Sequence, residues 1–370
     1  MTQFNMAPND PALQTLIDRV HAAQAANAPL CIRGGGSKDF YGEAPQGELL
    51  DTRVLAGISS HQPSELVVTA RCGTPLAELE AVLAEKGQCL PFEPPHFMPG
   101  ATVGGMVAAG LAGPSRAQVG GVRDYVLGAT LLNGNGEVLS FGGQVIKNVA
   151  GYDVSRLLAG SLGTLGVILE VSLKVLPCAP ASATLCFQMT EAAALKQINL
   201  WGGQPLPINA SAWWNDTLVL RLRGAAAAVQ AATKKLGGEV VPSSEADAFW
   251  IGLRDHGDEF FVAAQAAVAA GGSLWRVSVP QTAPPLALTG ESLIEWGGAQ
   301  RWLVTSPGQT TALREAALKL GGHATLFRGN DKSGGVFAPL TPPLEQIHRE
   351  MKRSFDPAGI FNRGRLYPSF

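Results

Sequence analysis

The sequence predicts an α+β protein of two domains, and three observations support this. The chain has 370 residues, enough for two domains with a substantial core. Segments with helical periodicity alternate with β-branched, strand-like segments along the first half. After Pro177 and Pro180 a second series of strands and helices begins, so we expect a domain boundary there.

Glycine is concentrated between Pro99 and Leu176, and the rest of the chain is organised around this stretch. Glycine inside an element costs roughly 0.5–1 kcal/mol relative to alanine, so this density needs a cause. One cause is close approach of the backbone to a ligand, and the N–H groups of glycine turns form concavities that bind anions. The stretch therefore predicts a large, phosphate-bearing cofactor, and the alternative is a turn-rich β domain with ordinary glycine punctuation.

Composition limits the partners. Charged residues are 16% of the chain, against about 25% in typical domains. The low charge suggests that part of the surface meets another protein or encloses a ligand. The net charge is −2, and the absence of a basic excess argues against nucleic acid.

Cysteine usage and hydropathy indicate the compartment. The five cysteines, Cys31, Cys72, Cys89, Cys178 and Cys186, contain no C-x-x-C pair, which argues against zinc or iron–sulfur ligation and predicts a reduced, cytoplasmic chain. The first residues show no signal-peptide pattern. The longest uncharged apolar run, residues 99–113, is too short to span a bilayer. We therefore expect membrane association, on the inner face, only peripherally or through a partner.

The first elements lead into a glycine loop. Asp10 and Pro11 predict the N-cap and first position of a helix. A short buried strand, residues 30–32, then runs into Arg33-Gly34-Gly35-Gly36-Ser37-Lys38. Three glycines with a hydroxyl and two cations suit a pyrophosphate. The spacing matches neither a Walker A loop nor a Rossmann fingerprint.

Two β-α units in all stand before the central stretch. Strands are predicted at residues 49–50 and 65–70, and Thr74-Pro75 begins a helix that Gly87 ends. Thr102 is expected to cap a small-residue helix over 103–111, whose N-terminus suits a second phosphate contact.

A hairpin, a short helix and a strand complete the first half. Asn133-Gly134-Asn135-Gly136 joins predicted strands 126–132 and 137–141, so it is interpreted as a turn and not as a nucleotide loop. A short helix over 153–158, a tight loop over 160–166 and a strand over 167–175 follow.

Several separated segments together resemble the FAD-binding domain of the vanillyl-alcohol-oxidase type, also called the PCMH-type domain. They are Arg33-Gly34-Gly35-Gly36-Ser37, Leu50-Asp51, residues 99–105, Lys147-Asn148 with Gly151-Tyr152-Asp153, and residues 160–168, with order and spacing that match over roughly residues 10–177. The chain end, residues 355–362, resembles the tail of the same family. The short second half and residues 147–153 most resemble the E subunits of bacterial glycolate oxidases, which are FAD-binding subunits of heteromeric flavin and iron–sulfur dehydrogenases.

The resemblance implies the architecture. A PCMH-type FAD-binding domain of two α+β subdomains is expected over 1–177. A ferredoxin-like α+β cap domain, for substrate or for a subunit interface, is expected over 178–341. The last part, 342–370, is expected to be a helix and a tail that return to the FAD domain, with Leu344, Ile347 and Met351 facing inward.

The resemblance also implies FAD and its site. Relatives often attach flavin to a histidine just after the glycine loop, and Ser37 and Lys38 stand there, so noncovalent FAD is expected. The candidate cofactor-binding residues are Arg33, Gly34, Gly35, Gly36, Ser37, Lys38, Pro99, Gly100, Ala101, Thr102, Gly104, Gly105, Gly110, Gly163, Thr164, Gly166 and Ile168. The chain departs from the family at Leu162, where many relatives have an acidic residue, and at Arg363, where proline is common.

The candidate catalytic residues remain open, and no metal site is expected. His256-Gly257-Asp258 is a local echo of the H-x-G-D-G-N-x-H motif with which relatives bind metal and substrate, but the second histidine is missing and a solvated loop is the alternative. Arg276 beside Trp275 either pairs with a substrate carboxylate or packs on an aromatic as an edge-strand arginine.

Other polar residues have weaker claims to a role at the flavin. Tyr152-Asp153 is a candidate for a position near the flavin. The alternative for Asp153 is that it caps a helix. Lys147 either neutralises reduced flavin or binds a carbonyl. His96 and His323 are expected to be structural.

Three functions fit this sequence. The first is an FAD-binding component of a dehydrogenase that oxidises glycolate or another small 2-hydroxy acid, with a second flavoprotein subunit and an iron–sulfur subunit as partners. The second is a stand-alone FAD oxidoreductase acting on another alcohol or lactone. The third is a non-catalytic scaffold subunit that holds FAD structurally.

Overall fold

The protein forms two compact α+β units in a computed structural model that describes residues 10–143 and 153–370. Unit 1 comprises residues 10–111, 121–143, 153–177 and 339–370, and unit 2 comprises residues 112–120 and 178–338. The predicted α+β class is confirmed.

The described residues form the following helices and strands. The helices are α1 (Pro11–Ala26), α2 (Leu76–Ala84), α3 (Val103–Ala109), α4 (Arg116–Val119), α5 (Glu191–Gly202), α6 (Ala226–Leu236), α7 (Ser243–Asp255), α8 (Glu259–Ala269), α9 (Thr310–Lys319) and α10 (Pro342–Phe355). The strands are β1 (Leu30–Arg33), β2 (Glu48–Asp51), β3 (Ile58–Gln62), β4 (Val67–Arg71), β5 (Gln88–Cys89), β6 (Val126–Leu132), β7 (Val138–Gly142), β8 (Val167–Lys174), β9 (Leu176–Pro177), β10 (Ala181–Gln188), β11 (Ile208–Trp214), β12 (Thr217–Gly224), β13 (Glu239–Val241), β14 (Ser273–Ser278), β15 (Ser292–Glu295), β16 (Gln300–Thr305) and β17 (His323–Gly329). None of the helices in these described segments is long and apolar enough to cross a membrane.

Caps fix the ends of the first helices. The Asp10 carboxylate accepts hydrogen bonds from the N–H groups of Ala12 and Leu13, and Pro11 occupies the first helical position, as predicted. Thr102 caps α3 by accepting from the N–H of Gly105. The expected start of α2 at Thr74 is wrong, because the Thr74 hydroxyl bonds to the backbone of Gly57 instead and the helix begins at Leu76.

An antiparallel sheet of order β3-β4-β8-β6-β7 forms the larger layer of unit 1. Its central strand β8 is buried along nearly its whole length. The predicted hairpin between β6 and β7 is confirmed, and the Asn133 side chain holds the turn by accepting from the N–H groups of Asn135 and Glu137. Residues 155–158 form a single 3₁₀ turn.

A smaller sheet of unit 1 is completed by the chain end. Strands β1 and β2 pair in parallel, and Phe361 adds a parallel bridge to Leu30. The N–H of Leu30 donates to the carbonyl of Ile360, and the N–H of Asn362 donates to the carbonyl of Leu30. The tail is therefore an integral strand-like part of unit 1.

A buried ion pair sets how α10 lies. Lys352 Nζ donates to Asp356 Oδ2 at 2.7 Å and to the carbonyls of Thr164 and Phe361 at 2.8 and 2.7 Å. These three bonds use all three ammonium protons. The expectation that Leu344 and Ile347 face inward is wrong, since they are 48% and 51% exposed. The inward side of the helix carries the buried Lys352, and Met351 and Phe355 are half-buried beside it.

Unit 2 is built on an antiparallel sheet of order β13-β10-β12-β11-β15-β16-β14-β17. Its two halves have the strand orders 4-1-3-2 and 2-3-1-4. The first half, β10-α5-β11-β12-α6-β13, is a ferredoxin-like βαββαβ unit. The second half differs from it, because residues 279–291 between β14 and β15 form no helix and α9 lies between β16 and β17. Strands β11 and β12 form a hairpin, with Asn215 and Asp216 in its turn at φ of 48° and 55°. Helices α7 and α8 were not predicted.

Candidate functional site

The candidate site is a cleft within unit 1, formed where several loops end. Its walls are the end of β1 with the loop that follows it (residues 32–39), one face of α3, the loop before β8, and the chain end. Of the predicted residues, the following line it: Arg33, Gly34, Gly35, Gly36, Ser37, Lys38, Thr102, Gly104, Gly105, Gly163, Gly166 and Ile168. The structure therefore brings together three glycine segments that lie far apart in the sequence.

The first glycine loop packs directly against residues 100–102. A Cβ added to Gly35 would lie 1.6 Å from the carbonyl oxygen of Gly100, and one added to Gly34 would lie 2.3 Å from Thr102 Oγ1. Pro99, Gly100 and Ala101 do not line the cleft. Gly100 and Ala101 instead pack against the glycine loop. The loop needs glycine at Gly35 because its backbone lies directly against the backbone of Gly100.

The same loop presents a row of backbone donors. Within residues 10–143 and 153–370, no hydrogen-bond acceptor is found for the N–H groups of Gly34, Gly35, Gly36 and Ser37. Ser37 is 7% exposed. Consecutive unpaired N–H groups at a turn favour a bound anion.

The start of α3 does not supply the second phosphate contact expected of it. The N–H of Val103 donates to the carbonyl of Thr74, that of Gly104 to Cys72, and that of Gly105 to Thr102 Oγ1. These donors are already used, so α3 contributes a close backbone wall and not an anion site.

The loop before β8 is held by the chain end. Asn362 Oδ1 accepts from the N–H of Ile32 at 2.7 Å, and its Nδ2 donates to the carbonyl of Leu162 at 2.6 Å. A Cβ on Gly163, at φ 74°, would meet that amide at 2.7 Å. One side chain thus ties β1 to this loop.

Two predicted residues support this loop and do not line the cleft. Gly110 packs against Gly160, and Thr164 offers its carbonyl to Lys352. These two residues contribute to the site by holding the loop before β8 in position.

Several lining residues were not predicted from the sequence, among them Thr52, Cys72, Asn362 and Arg365. Arg365 is 7% exposed and donates to the carbonyls of Asp39, Lys38 and Glu43. Burial lowers the pKa of its guanidinium. A sequence signal for Arg365 was available, because Arg363 and Arg365 flank Gly364 directly after residues 355–362, which resemble the family's tail.

The cleft offers little acid–base chemistry among its described residues. Burial raises the pKa of the Cys72 thiol to about 12, so it stays protonated near neutral pH. The Asp39 carboxylate pairs with Arg33 at 2.6 Å. Lys147 and Tyr152 lie outside the described residues, and Asp153 pairs with Arg156 at 2.7 Å.

His256, the first of the candidate catalytic residues in unit 2, is part of the core. The expectation of a solvated loop is wrong: His256 is 6% exposed and stacks on Phe261 with ring centroids 3.5 Å apart. Burial, with Arg328 and Arg276 nearby, holds its pKa well below the usual range. Asp258 caps α8 by accepting from the N–H of Phe261.

The remaining candidates are also engaged in structure. Arg276 lies over the Phe327 ring at 5.8 Å, on a strand between β16 and β17 and not at an edge as expected. His96 pairs with Glu80 at 2.9 Å, and burial lowers the pKa of His323. The part of the chain that the structure describes holds no group of three His, Cys, Asp or Glu side chains able to bind a metal.

Comparison with known proteins identifies the cofactor and the fold. Residues 12–142 match the family model "FAD binding domain". The chain is 47% identical to "Glycolate oxidase subunit GlcE" of Escherichia coli (strain K12) over 354 residues, which are 96% of this chain and 97% of that protein. It is 31% identical to "Glycolate oxidase subunit GlcD" of Bacillus subtilis (strain 168) over 45% of this chain and 36% of that one.

Solved structures agree on the fold. An alkyldihydroxyacetonephosphate synthase superposes with a TM-score of 0.65 at 15% identity, covering 94% of this chain and 74% of the other. The row of unpaired N–H groups and the buried arginine fit a dinucleotide diphosphate, so the residues present suit FAD. The resemblance to PCMH-type FAD-binding proteins is confirmed, and the chain belongs to the family of FAD-dependent oxidoreductases that includes the glycolate oxidase subunit GlcE.

Proposed function

We propose that this chain is the FAD-binding E subunit of a complex that oxidises glycolate, or another small 2-hydroxy acid, to glyoxylate or the matching 2-oxo acid. The proposal rests on one observation: the chain matches a glycolate oxidase subunit along nearly the whole length of both proteins. The cleft in unit 1 supports it, because its donors and its charge suit a dinucleotide.

Each wall of the cleft has a task when FAD is held there. The N–H groups of Gly34–Ser37 bind the diphosphate, while the contacts of Gly34 and Gly35 with residues 100–102 keep those donors aligned. Asn362 fixes the loop before β8, and Ile168 gives that wall an apolar surface. When bound, FAD supplies the two-electron acceptor chemistry. Ser37 and Lys38 form no flavin attachment point, so the binding is noncovalent.

Substrate oxidation needs a base that the described part of this cleft does not offer. Oxidation of a 2-hydroxy acid requires an anchored carboxylate and a base for the hydroxyl proton, both beside the flavin. Here the Cys72 thiol is protonated and the Asp39 carboxylate is bound by Arg33. We infer that a second flavoprotein subunit completes this chemistry.

The electrons also need a route out of the flavin. The five cysteines are scattered along the chain and offer no cluster ligand set. We infer that an iron–sulfur subunit accepts the electrons and that the complex works in the cytoplasm or on the inner face of the membrane. The free cysteines agree with a reducing compartment.

Dye-linked glycolate oxidation tests this assignment. We expect the isolated, FAD-loaded chain to turn over at least about 100-fold more slowly than the co-expressed three-subunit complex, since positioned acid–base groups contribute 10²–10⁴-fold. Photoreduction of the flavin within the complex then distinguishes an electron-carrying flavin from a structural one. Comparable rates from chain and complex would show that the chain is a self-sufficient oxidoreductase.

A further inference from the structure

Three cations line the FAD cleft, and they differ in what neutralises them. The Arg33 guanidinium lies 2.6 Å from the Asp39 carboxylate, and its side chain is 44% exposed. Lys38 is partly buried, donates to Ser37 Oγ and lies 5.4 Å from the centroid of the Phe97 ring. Arg365 is almost fully buried.

The Arg365 guanidinium forms its hydrogen bonds with neutral backbone carbonyl groups. Its guanidinium donates to the carbonyls of Asp39 at 2.9 Å, Lys38 at 3.4 Å and Glu43. No carboxylate of residues 10–143 or 153–370 lies within ion-pair distance of it. A guanidinium stays protonated in proteins, so a permanent positive charge is buried here, and the Asp39 and Glu43 carboxylates stabilise it from beyond ion-pair distance.

The position of this charge selects a partner. Arg365 donates hydrogen bonds to Lys38 and Asp39, the residues that directly follow the row of N–H donors Gly34–Ser37. Arg365 and the donor row line the same cleft. Four unpaired N–H groups and a buried cation add their positive potentials. A diphosphate is the anion in an FAD cleft that matches this potential.

We propose that Arg365 is a positioning residue for the FAD diphosphate, supplied by the chain end. It orders residues 38–43 through their carbonyls and places the one buried cation of the described cleft beside the diphosphate donors. The inference rests on the proposed FAD site and adds a cation from the tail to the two that the glycine loop was predicted to supply, Arg33 and Lys38. It predicts that Arg365 contributes to the affinity for ADP, the half of FAD with the diphosphate, and not to the affinity for riboflavin.

The test compares ADP, riboflavin and FAD binding to the full chain after FAD has been removed, by calorimetry. The variants are Arg365→Gln and Arg365→Lys, with Arg363→Gln as the control. Arg363 bonds to the carbonyl of Gly359 and to Asn27, and it does not line the cleft.

We expect Arg365→Gln to weaken ADP and FAD about tenfold or more, the range of a charge-assisted hydrogen bond, and to leave riboflavin unchanged. Arg365→Lys should lose less than about threefold, because it keeps the charge. Arg363→Gln should match the wild type.

Three results would overturn the assignment: unchanged ADP binding in Arg365→Gln, equal losses for ADP and riboflavin, or equal losses in the Gln and Lys variants. If Arg365→Gln does not fold, Arg365→Lys decides, since a tenfold loss of ADP affinity there would contradict a charge role. Failure of the wild type to bind FAD at all would instead refute the FAD site itself.

Discussion

Replacing Lys352 by methionine is expected to lower the free energy of unfolding of unit 1 by about 3–5 kcal/mol, the cost of removing one partner from a buried ion pair. The side chains of Lys352 and Asp356 are 8% and 0% exposed. The substitution leaves a buried carboxylate without its cation, and two carbonyls lose their donor. Release of flavin fluorescence during urea unfolding reports on unit 1, since all seven tryptophans lie between residues 201 and 302, in unit 2.

Matched variants separate the ion pair from general helix damage. Arg353→Met changes the exposed neighbour on the same helix and should alter stability by less than about 0.5 kcal/mol. The double variant Lys352→Met/Asp356→Leu should recover part of the loss, because apolar pairs often replace buried ion pairs at little cost. Equal midpoints for Lys352→Met and Arg353→Met would show that the pair does not hold the tail.

Gly35→Ala is expected to yield folded protein with almost no FAD. The new Cβ would stand 1.6 Å from the Gly100 carbonyl oxygen, a backbone atom that no rotamer change can move aside. The donor row Gly34–Ser37 must therefore shift away from its supporting segment. The measurement is the ratio of flavin absorbance to protein absorbance after gel filtration.

Gly202→Ala is the matched control for this variant. Gly202 ends α5 in unit 2, and a Cβ there meets nothing within 4 Å. We expect its flavin content to equal that of the wild type. Gly297 would be a poorer control, since its φ is 68° and substitution there is strained. Equal flavin in Gly35→Ala and Gly202→Ala would contradict the assignment of the first glycine loop.

Local signals in the sequence predicted the parts of the fold that depend on a few adjacent residues. Asp10-Pro11 begins α1, Thr102 caps α3, and the turn at Asn133 closes a hairpin. Each of these features is decided by a side chain and a backbone group at most four residues apart.

Contacts between distant segments could not be predicted in this way. Lys352 reaches Thr164, Asn362 reaches Leu162 and Arg365 reaches Asp39, across 188, 200 and 326 residues. No periodicity in α10 reveals that its lysine faces inward while Leu344 and Ile347 remain exposed. The buried position of His256 has the same cause, because two of the rings that pack against it, Trp302 and Phe327, come from β16 and β17.

Acid precipitation of the purified chain tests most directly whether its cleft holds FAD noncovalently. The wild-type chain is denatured in acid, and flavin is then measured by absorbance in the supernatant and in the washed pellet. We predict one equivalent of FAD per chain in the supernatant and a colourless pellet, since Ser37 and Lys38 provide no attachment point. Flavin that stays with the pellet, or a chain purified without any flavin, would contradict noncovalent FAD binding by this chain.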